Sequence, residues 1–341
     1  MHILITGGAG FIGTNLIPKL RDAGHTVTVI DNMSHGTYVP EIHDAVNFVN
    51  ADCIHKEAIS KIVSQVKPDA TFMFHGLVSI YDCHRDPQKA ITNNLIGSAN
   101  VFDALIEHGC PRVIFAETSA VYENDPLPIK GYSEETSDPT TMYAVTKAAL
   151  LLMAKSYSRT RGLKFTALRY FNVAGAMQDY RRTVPPLFAG FALRMIGGNE
   201  PIIFGDGNRK RDFIHVDDIN DFHLQCLTDD RTVNQVFNLG RGEAISLHDV
   251  GYLVAMILNE SGKYPKIDMD IQYKQMPQIN GEAFEIRSNI SKATALGWSP
   301  TKTIRRALED TIRYLEKQIE DGFVDPKTFM NDVKIEDVKI G

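Results

Sequence analysis

Along the first half of the chain, short apolar runs rich in β-branched residues alternate with longer stretches whose apolar positions recur at helical spacing. Ile3 to Ile5 reads as a buried strand, and Leu16, Ile17 and Leu20 mark the helix after it. His25-Thr-Val-Thr-Val-Ile-Asp31-Asn32 reads as a second strand that ends in an acid. Val46-Asn-Phe-Val49 then leads to Asp52, and Ala70-Thr-Phe-Met-Phe74 leads to His75-Gly76. Arg112-Val-Ile-Phe115 follows and runs into Ala116-Glu-Thr-Ser-Ala-Val-Tyr122. Strands separated by helical stretches of about ten or more residues predict a parallel sheet with right-handed crossovers. Ligands of such sheets sit beyond the carboxyl ends of the strands, so Asp52, the His75 loop and Thr118 are expected to line one crevice.

From about Met177 to Arg209 the pattern changes. Arg181-Arg182 and Pro185-Pro186 precede an apolar helix, Leu187 to Ile196, and then Gly197-Gly198. An inserted segment of this kind is expected to cap the strand ends and select a substrate. Val236-Phe-Asn-Leu239 reads as a strand returning to the cap side, Ser246 as the cap of a further helix, and Trp298 as a core anchor.

Gly7, Gly10 and Gly13 fall between the first strand and the first helix, with Phe11 and Ile12 among them. A glycine triplet alone is a weak signal; in this setting it is a dinucleotide fingerprint. Gly7 would permit a tight turn, Gly10 a close approach of backbone to pyrophosphate, and Gly13 close packing of helix on strand. The helix's free N–H groups would face the phosphates. Asp31, at the end of the second strand, would accept the adenosine ribose hydroxyls and repel a 2′-phosphate, which selects NAD over NADP. The predicted fold is therefore α/β: a Rossmann-type doubly wound parallel sheet with a smaller mixed α/β substrate-binding lobe. Residues 1–176 would form the NAD-binding domain with 211–242 returning to it, 177–210 and 243–318 the second lobe, and 319–341 a C-terminal tail.

Tyr143 and Lys147 lie four residues apart at the start of a long helical pattern and so share one face. Such pairs are common on amphipathic helices. Here a nucleotide loop and a hydroxyl-rich strand end precede it, and an ammonium near a phenol can bring a pKa of about 10 toward the working range.

Composition narrows the partners. At 341 residues and 43% hydrophobic the chain can bury a large core, and a net charge of -6 with mixed signs offers no basic footprint for nucleic acid. A small-molecule partner is expected. The start lacks the zones of a signal peptide, and no apolar run is long enough to span a bilayer. Cys53, Cys83, Cys110 and Cys226 stand singly, suggesting no metal knuckle or disulfide framework, and the plain inference is a reduced, cytoplasmic protein.

Gly-Gly-Ala-Gly-Phe-Ile-Gly near the N-terminus, Thr118-Ser-Ala-Val-Tyr122, Tyr143-Ala-Val-Thr-Lys147, Arg169-Tyr-Phe-Asn172 and Arg211-Asp-Phe-Ile-His-Val-Asp-Asp218 together resemble the extended short-chain dehydrogenase/reductases that act on nucleotide sugars. The similarity runs from Met1 to about Leu315, and the chain looks most like the branch of UDP-glucose/UDP-hexose 4-epimerases and UDP-glucuronate epimerases. That resemblance implies tightly bound NAD and a nucleotide-diphosphate sugar as substrate. It makes Tyr143 the acid/base, Lys147 its electrostatic partner and a ribose ligand, and Thr118 the hydroxyl on the reacting sugar oxygen. Asp31 and Asn32 would hold the adenosine ribose, Asp52 with Cys53 or Ile54 the adenine, and Asn94 would support the cofactor crevice. Ser119, Asn172, Arg211 and Arg287 would meet the substrate, Arg211 through phosphate; an exposed charge beside Arg209 and Lys210 is the other reading of that residue.

Four departures stand out. His75 replaces a usual Ala and is either a second titrating group near the nicotinamide or a hydrogen-bonded structural residue. Glu123 replaces a glycine. Pro277-Gln278-Ile279-Asn280-Gly281-Glu282 lacks the phosphate-binding arginine expected at Ile279, for which Arg287 is the nearest substitute. The residues from Asp321 onward form a polar extension, with an oligomer contact as its expected use. Ile286 hints at room for a substituted sugar.

The implied reaction is 4-epimerisation through a 4-keto sugar. Related dehydratases carry an Asp-Glu pair directly after the threonine, where this chain has Ser119-Ala120; Glu117 and Glu123 keep a dehydratase or oxidoreductase in play, and an NAD-sensing regulatory protein is the non-enzyme alternative. Helices from about Gln88 to Glu107 and from Tyr143 to Arg159 resemble the family's dimer-forming pair. Ile96, Val101, Leu105 and Leu150 to Met153 suit a homodimer interface or ordinary core packing equally.

Overall fold

The protein is described by a computed structural model over residues 1–37, 39–125, 127–182, 184–277 and 283–331. Seven strands form the main sheet: β1 (His2–Thr6), β2 (Thr26–Asp31), β3 (Asn47–Asn50), β4 (Ala70–Met73), β5 (Arg112–Thr118), β6 (Lys164–Tyr170) and β7 (Gln235–Leu239). Their spatial order is β7-β6-β5-β4-β1-β2-β3, and every adjacent pair is parallel. The order reverses between β1 and β4, which opens a crevice at the carboxyl ends.

Successive side chains of a strand leave on opposite faces, and β1 shows what that requires. Ile3 and Ile5 pack with Leu16, Ile17 and Leu20 of α1 (Phe11–Asp22), while Leu4 packs with Ile59 and Val63 of α2 (Lys56–Val66) on the other side. All of these are fully buried, so Ile3, Leu4 and Ile5 have to be apolar on both faces of the strand. On the α2 face also lie α3 (Gly97–Glu107) and α4 (Met142–Arg161), which supply Phe102, Leu105 and Leu150.

The second lobe has its own core. Phe188 and Phe191 come from α5 (Leu187–Ile196); α6 (Val216–Thr228) belongs to the main sheet, packing on α1. Val254 and Leu258 come from α7 (Leu247–Ser261), and Leu308 and Leu315 from α8 (Ile304–Glu320). Ser246 begins α7 in a capping box with Asp249. Short strands complete this lobe: Ile202–Phe204 pairs with Lys274–Met276, and Lys210–Arg211 lies between Ile245–Ser246 and Glu285–Ile286.

Several expectations change. β7 is the edge of the main sheet beside β6, not a cap strand, because Phe237 and Val236 feed the cores on its two faces. The stretch around Trp298, assigned by sequence to the second lobe, packs on the main sheet: the indole lies 5.5 Å from Phe222 and donates to the Asp218 carbonyl at 2.9 Å. The predicted helix at 88–107 is interrupted, since Pro87–Ile91 and α3 are joined by a wide π-helical turn, Thr92–Ile96. Residues 321–331 are no free tail; Val324 and Phe329 pack on the second lobe. Ile279 and residues 332–341 lie outside the described residues.

Trp298→Ala removes the indole from the main-sheet core together with its hydrogen bond. It is expected to cost about 3–5 kcal/mol, read as a lower urea midpoint by circular dichroism.

Candidate active site

One cleft of about 640 Å³ runs along the carboxyl ends of β1, β2, β4, β5 and β6 and is roofed by the second lobe. Its cofactor end begins at Gly7, whose φ is +71°; a Cβ there would stand 2.5 Å from the His75 nitrogen. Only glycine lets β1's turn lie so close to the end of β4. Gly13 is tight too, but against the Gly8 backbone, 2.7 Å from a would-be Cβ, rather than against the strand. Gly10 is the N-cap of α1 and brings no capping side chain, and Gly10, Phe11 and Ile12 line the cleft. The first turn of α1 therefore presents backbone donors to an anion.

Asp31 ends β2 in the same cleft. The Ala9 N–H donates to its Oδ2 at 3.0 Å and the Met33 N–H to its Oδ1 at 2.8 Å, which fixes the carboxylate and opposes the rise in pKa that burial causes. Asn32 donates to Asp52 at 2.7 Å, and Asp52 in turn accepts from the Ile54 N–H at 3.0 Å. Beside them Cys53 is buried, and burial pushes its thiol pKa well up. With its close-approach glycine, open helix N-terminus and held carboxylate, this end suits a dinucleotide.

His75 is the hydrogen-bonded structural residue of the two readings. Its Nδ1 shares a 2.7 Å bond with the Thr6 hydroxyl, and Nε2 lies 3.4 Å from Ser98 Oγ. Desolvation, then the Lys147 charge, lower its pKa to about 3, so the ring is neutral at pH 7. Asn94, in the π-helical turn, accepts from the Leu77 N–H at 2.7 Å and donates to the Leu77 carbonyl and the Thr146 hydroxyl at 3.0 and 2.9 Å. It thereby ties the loop after β4 to α4.

At the centre, Thr118 ends β5, and α4 brings in Tyr143 and Lys147 one turn apart. Glu123, where a glycine was the family pattern, holds the start of that helix: it accepts from the N–H groups of Thr140 (3.2 Å) and Thr141 (2.9 Å) and from the Thr141 hydroxyl (3.1 Å). Thr141 then caps α4 through Ala144. A carboxylate at a helix N-terminus is electrostatically favoured.

Lys147 is buried and donates to the Ala116 carbonyl at 3.1 Å. Burial lowers its pKa to about 8, opposed by the negative charge of Glu117. Burial raises Tyr143 to about 12, opposed by its hydrogen bond with Thr118 and by the charge of Arg182. The expected depression of the phenol by Lys147 is thus overturned in the protein alone, because loss of solvent outweighs its neighbours' fields.

Asn172 and Arg211 line the second-lobe side of the cleft. Arg211 is buried, not an exposed surface charge, and donates to the Lys210 carbonyl at 2.8 Å. Of the expected cofactor-side residues Gly13 and Asn94 stand behind the lining, and three residues expected on the substrate side are absent from it. Ser119 turns away because the chain enters a 3-10 turn (Ser119–Tyr122) capped by the Thr118 hydroxyl. Arg287 is spent on the Ile129 carbonyl at 3.0 Å and on Glu285 at 3.5 Å. Ile286 packs with Val121, Tyr132 and Phe171 in a separate cluster.

The cleft also holds residues that the motifs did not single out. Gln178 is buried, donates to the Val173 carbonyl at 2.7 Å, and has an Oε1 with no partner. Arg182 pairs with Asp179 at 3.5 Å, and Phe204 and Met330 line the cleft from the second lobe. Only the Arg181-Arg182 pair was visible as a signal; the others depend on which way short loops face.

A model of the NAD dependent epimerase/dehydratase family matches residues 3–240. The UDP-glucose 4-epimerase of Lacticaseibacillus casei is 30% identical over 344 residues, covering 95% of this chain and 99% of that protein. The crystal structure of a Thermotoga maritima UDP-glucose 4-epimerase with UDP-glucose superposes with a TM-score of 0.86 at 30% identity, covering 94% of this chain and 100% of that one. A Bacillus cereus UDP-glucuronic acid 4-epimerase in complex with UDP-glucuronic acid and NAD gives 0.81 at 26% identity, covering 93% and 99%. Match and site together place the protein: the chain belongs to the NAD dependent epimerase/dehydratase family.

Proposed function

We propose that the protein is an NAD-dependent nucleotide-sugar 4-epimerase, with Thr118, Tyr143 and Lys147 as its catalytic residues. The observation that carries this reading is their convergence in one cleft between a dinucleotide cradle at Gly7 and Asp31 and the Arg211 side of the second lobe. The relatives that turn over UDP-glucose or UDP-glucuronic acid at C4 support it.

NAD, when bound, supplies a hydride acceptor that later becomes the donor. Gly7, Gly10, Phe11, Ile12 and Gly13 form its phosphate cradle, Asp31 and Asn32 hold the adenosine ribose, and Asp52 and Cys53 flank the adenine. Lys147 reaches the other ribose, and Asn94 keeps that wall in place. Thr118 orients the sugar's O4; Tyr143, whose ionisation the positive charges of Lys147 and of the nicotinamide would favour once NAD is bound, takes the O4 proton as phenolate while the C4 hydride leaves, which produces a 4-keto sugar. After the sugar turns over, Tyr143 returns the proton and C4 receives hydride on its opposite face. No net oxidation occurs. Asn172 and Arg211 hold the diphosphate side of the substrate.

Elimination chemistry needs a free carboxyl acid and base near C5 and C6. The two acids near Thr118 line the cleft but are already bonded to the protein, Glu117 through Oε2 to Arg169 at 2.6 Å and Glu123 to the start of α4. This favours epimerisation over the dehydratase alternative.

The reading extends to a cytoplasmic homodimer. All four cysteines are free thiols, and among the described residues no helix is long and apolar enough to cross a membrane. Of the apolar residues offered for a dimer face, Val101, Leu105, Leu150 and Leu151 are core, whereas Ile96 and Leu152 are exposed, as is Val145. A dimer would cover those three.

Incubation with UDP-, dTDP-, GDP- and CDP-hexoses and -hexuronates in heavy water, followed by proton NMR, should show C4 epimers without deuterium on carbon; deuteration at C6 would sink the epimerase. Tyr143→Phe should lower kcat by roughly 10²–10⁴-fold with NAD content retained. Because Lys147 acts as the ammonium and its pKa sits at about 8, kcat/KM should fall as pH rises through that value, and Lys147→Met should abolish that limb.

A further inference from the structure

The chain beyond α8 does more than cover the second lobe. After Glu320 it turns back across α5 and is fastened at three places. The buried guanidinium of Arg194 donates to the Phe329 carbonyl at 2.8 Å and to Asn331 Oδ1 at 3.1 Å. The Asn199 amide donates to the Lys327 carbonyl at 3.0 Å. A Cβ on Gly197 would stand only 2.0 Å from the Pro326 carbonyl oxygen, so the strap lies directly on the end of α5. Phe329 adds an edge contact with Tyr180, their ring centres 6.5 Å apart.

These fastenings deliver one side chain into the cleft. Met330 adopts φ +58°, a left-handed conformation that is strained for a non-glycine residue and persists only where the surroundings impose it. It packs against the buried pair Ile202 and Met276, as Val184 and Phe204 do, and lines the cleft. The pocket formed there is apolar, walled by an aromatic ring and a thioether, and on the same second-lobe side as Arg211. A thioether and an aromatic ring both favour the face or edge of a flat ring system.

We propose that the 326–331 strap forms one wall of the nucleotide-base pocket, with Met330 as the residue that contacts the base. The inference rests on the nucleotide-sugar reading: if the sugar occupies Tyr143 and its diphosphate Arg211, the base lies beyond them on the second-lobe side, where Met330, Ile202 and Phe204 line the cleft. The strap then determines affinity for the nucleotide half of the substrate while leaving the chemistry at C4 alone.

Calorimetric titration of the NAD-loaded protein with UDP, dTDP, GDP and CDP tests this. Met330→Ala leaves all three fastenings in place and should weaken the best-bound nucleoside diphosphate about tenfold, equivalent to about 1.4 kcal/mol. The KM for the corresponding sugar should rise in parallel, with kcat within about twofold of wild type. Met330→Leu, which restores an apolar wall of similar volume, should recover binding to within about twofold. Unchanged binding in Met330→Ala, or binding by Met330→Leu as weak as that of Met330→Ala, would overturn the assignment. If the wild-type protein binds none of the four nucleotides, the nucleotide-sugar reading itself fails and takes this inference with it.

Discussion

A buried ion pair underlies the centre of the cleft. Glu117 on β5 and Arg169 on β6 meet at 2.6 Å with side chains 0% and 3% exposed. Separating such a pair leaves an uncompensated buried charge, at a cost of about 3–5 kcal/mol. The guanidinium serves more than its partner. It also donates to the Tyr122 hydroxyl at 2.8 Å and to the carbonyls of Glu134 and Thr136 at 3.3 and 3.2 Å, so it gathers the loop between β5 and α4 onto the sheet. Thr118 follows Glu117 on the same strand, and the carboxylate's field opposes the loss of charge on Lys147. The hydroxyl, the phenol and the ammonium therefore share one electrostatic foundation.

The departures from the family pattern act as local replacements. Glu123 costs the loop a glycine, but its carboxylate takes up the free N–H groups before α4 and so sets where Tyr143 begins its turn. His75 is wedged between Thr6 and Ser98 in neutral form. It acts as a polar strut between β1, β4 and α3, not as a proton carrier.

The cofactor half was legible in the sequence because its constraints are local and concern backbone. Gly7 is required by contact with β4, and Asp31 sits where β2 ends, so short motifs carry that information. The substrate half was less so. Ser119, Arg287 and Ile286 were assigned from the family resemblance, yet they lie on a short turn, on a two-residue strand or directly after it, where a single reversal of direction moves a side chain out of the cleft. The Tyr143 pKa misled for a different reason, since helical spacing shows proximity to Lys147 but not the desolvation that outweighs it. Met330 gave no signal at all, being one of several apolar residues scattered without period through the extension.

The place of Met330 in the chain bears on how the protein is made. The main sheet is complete once β7 has been synthesised, and nascent domains fold from the N-terminus as they emerge. The cofactor cradle can thus assemble on the ribosome well before residues 326–331 leave the exit tunnel. The far wall of the cleft is among the last described parts to arrive, so a chain released early would keep the cradle and lose that wall.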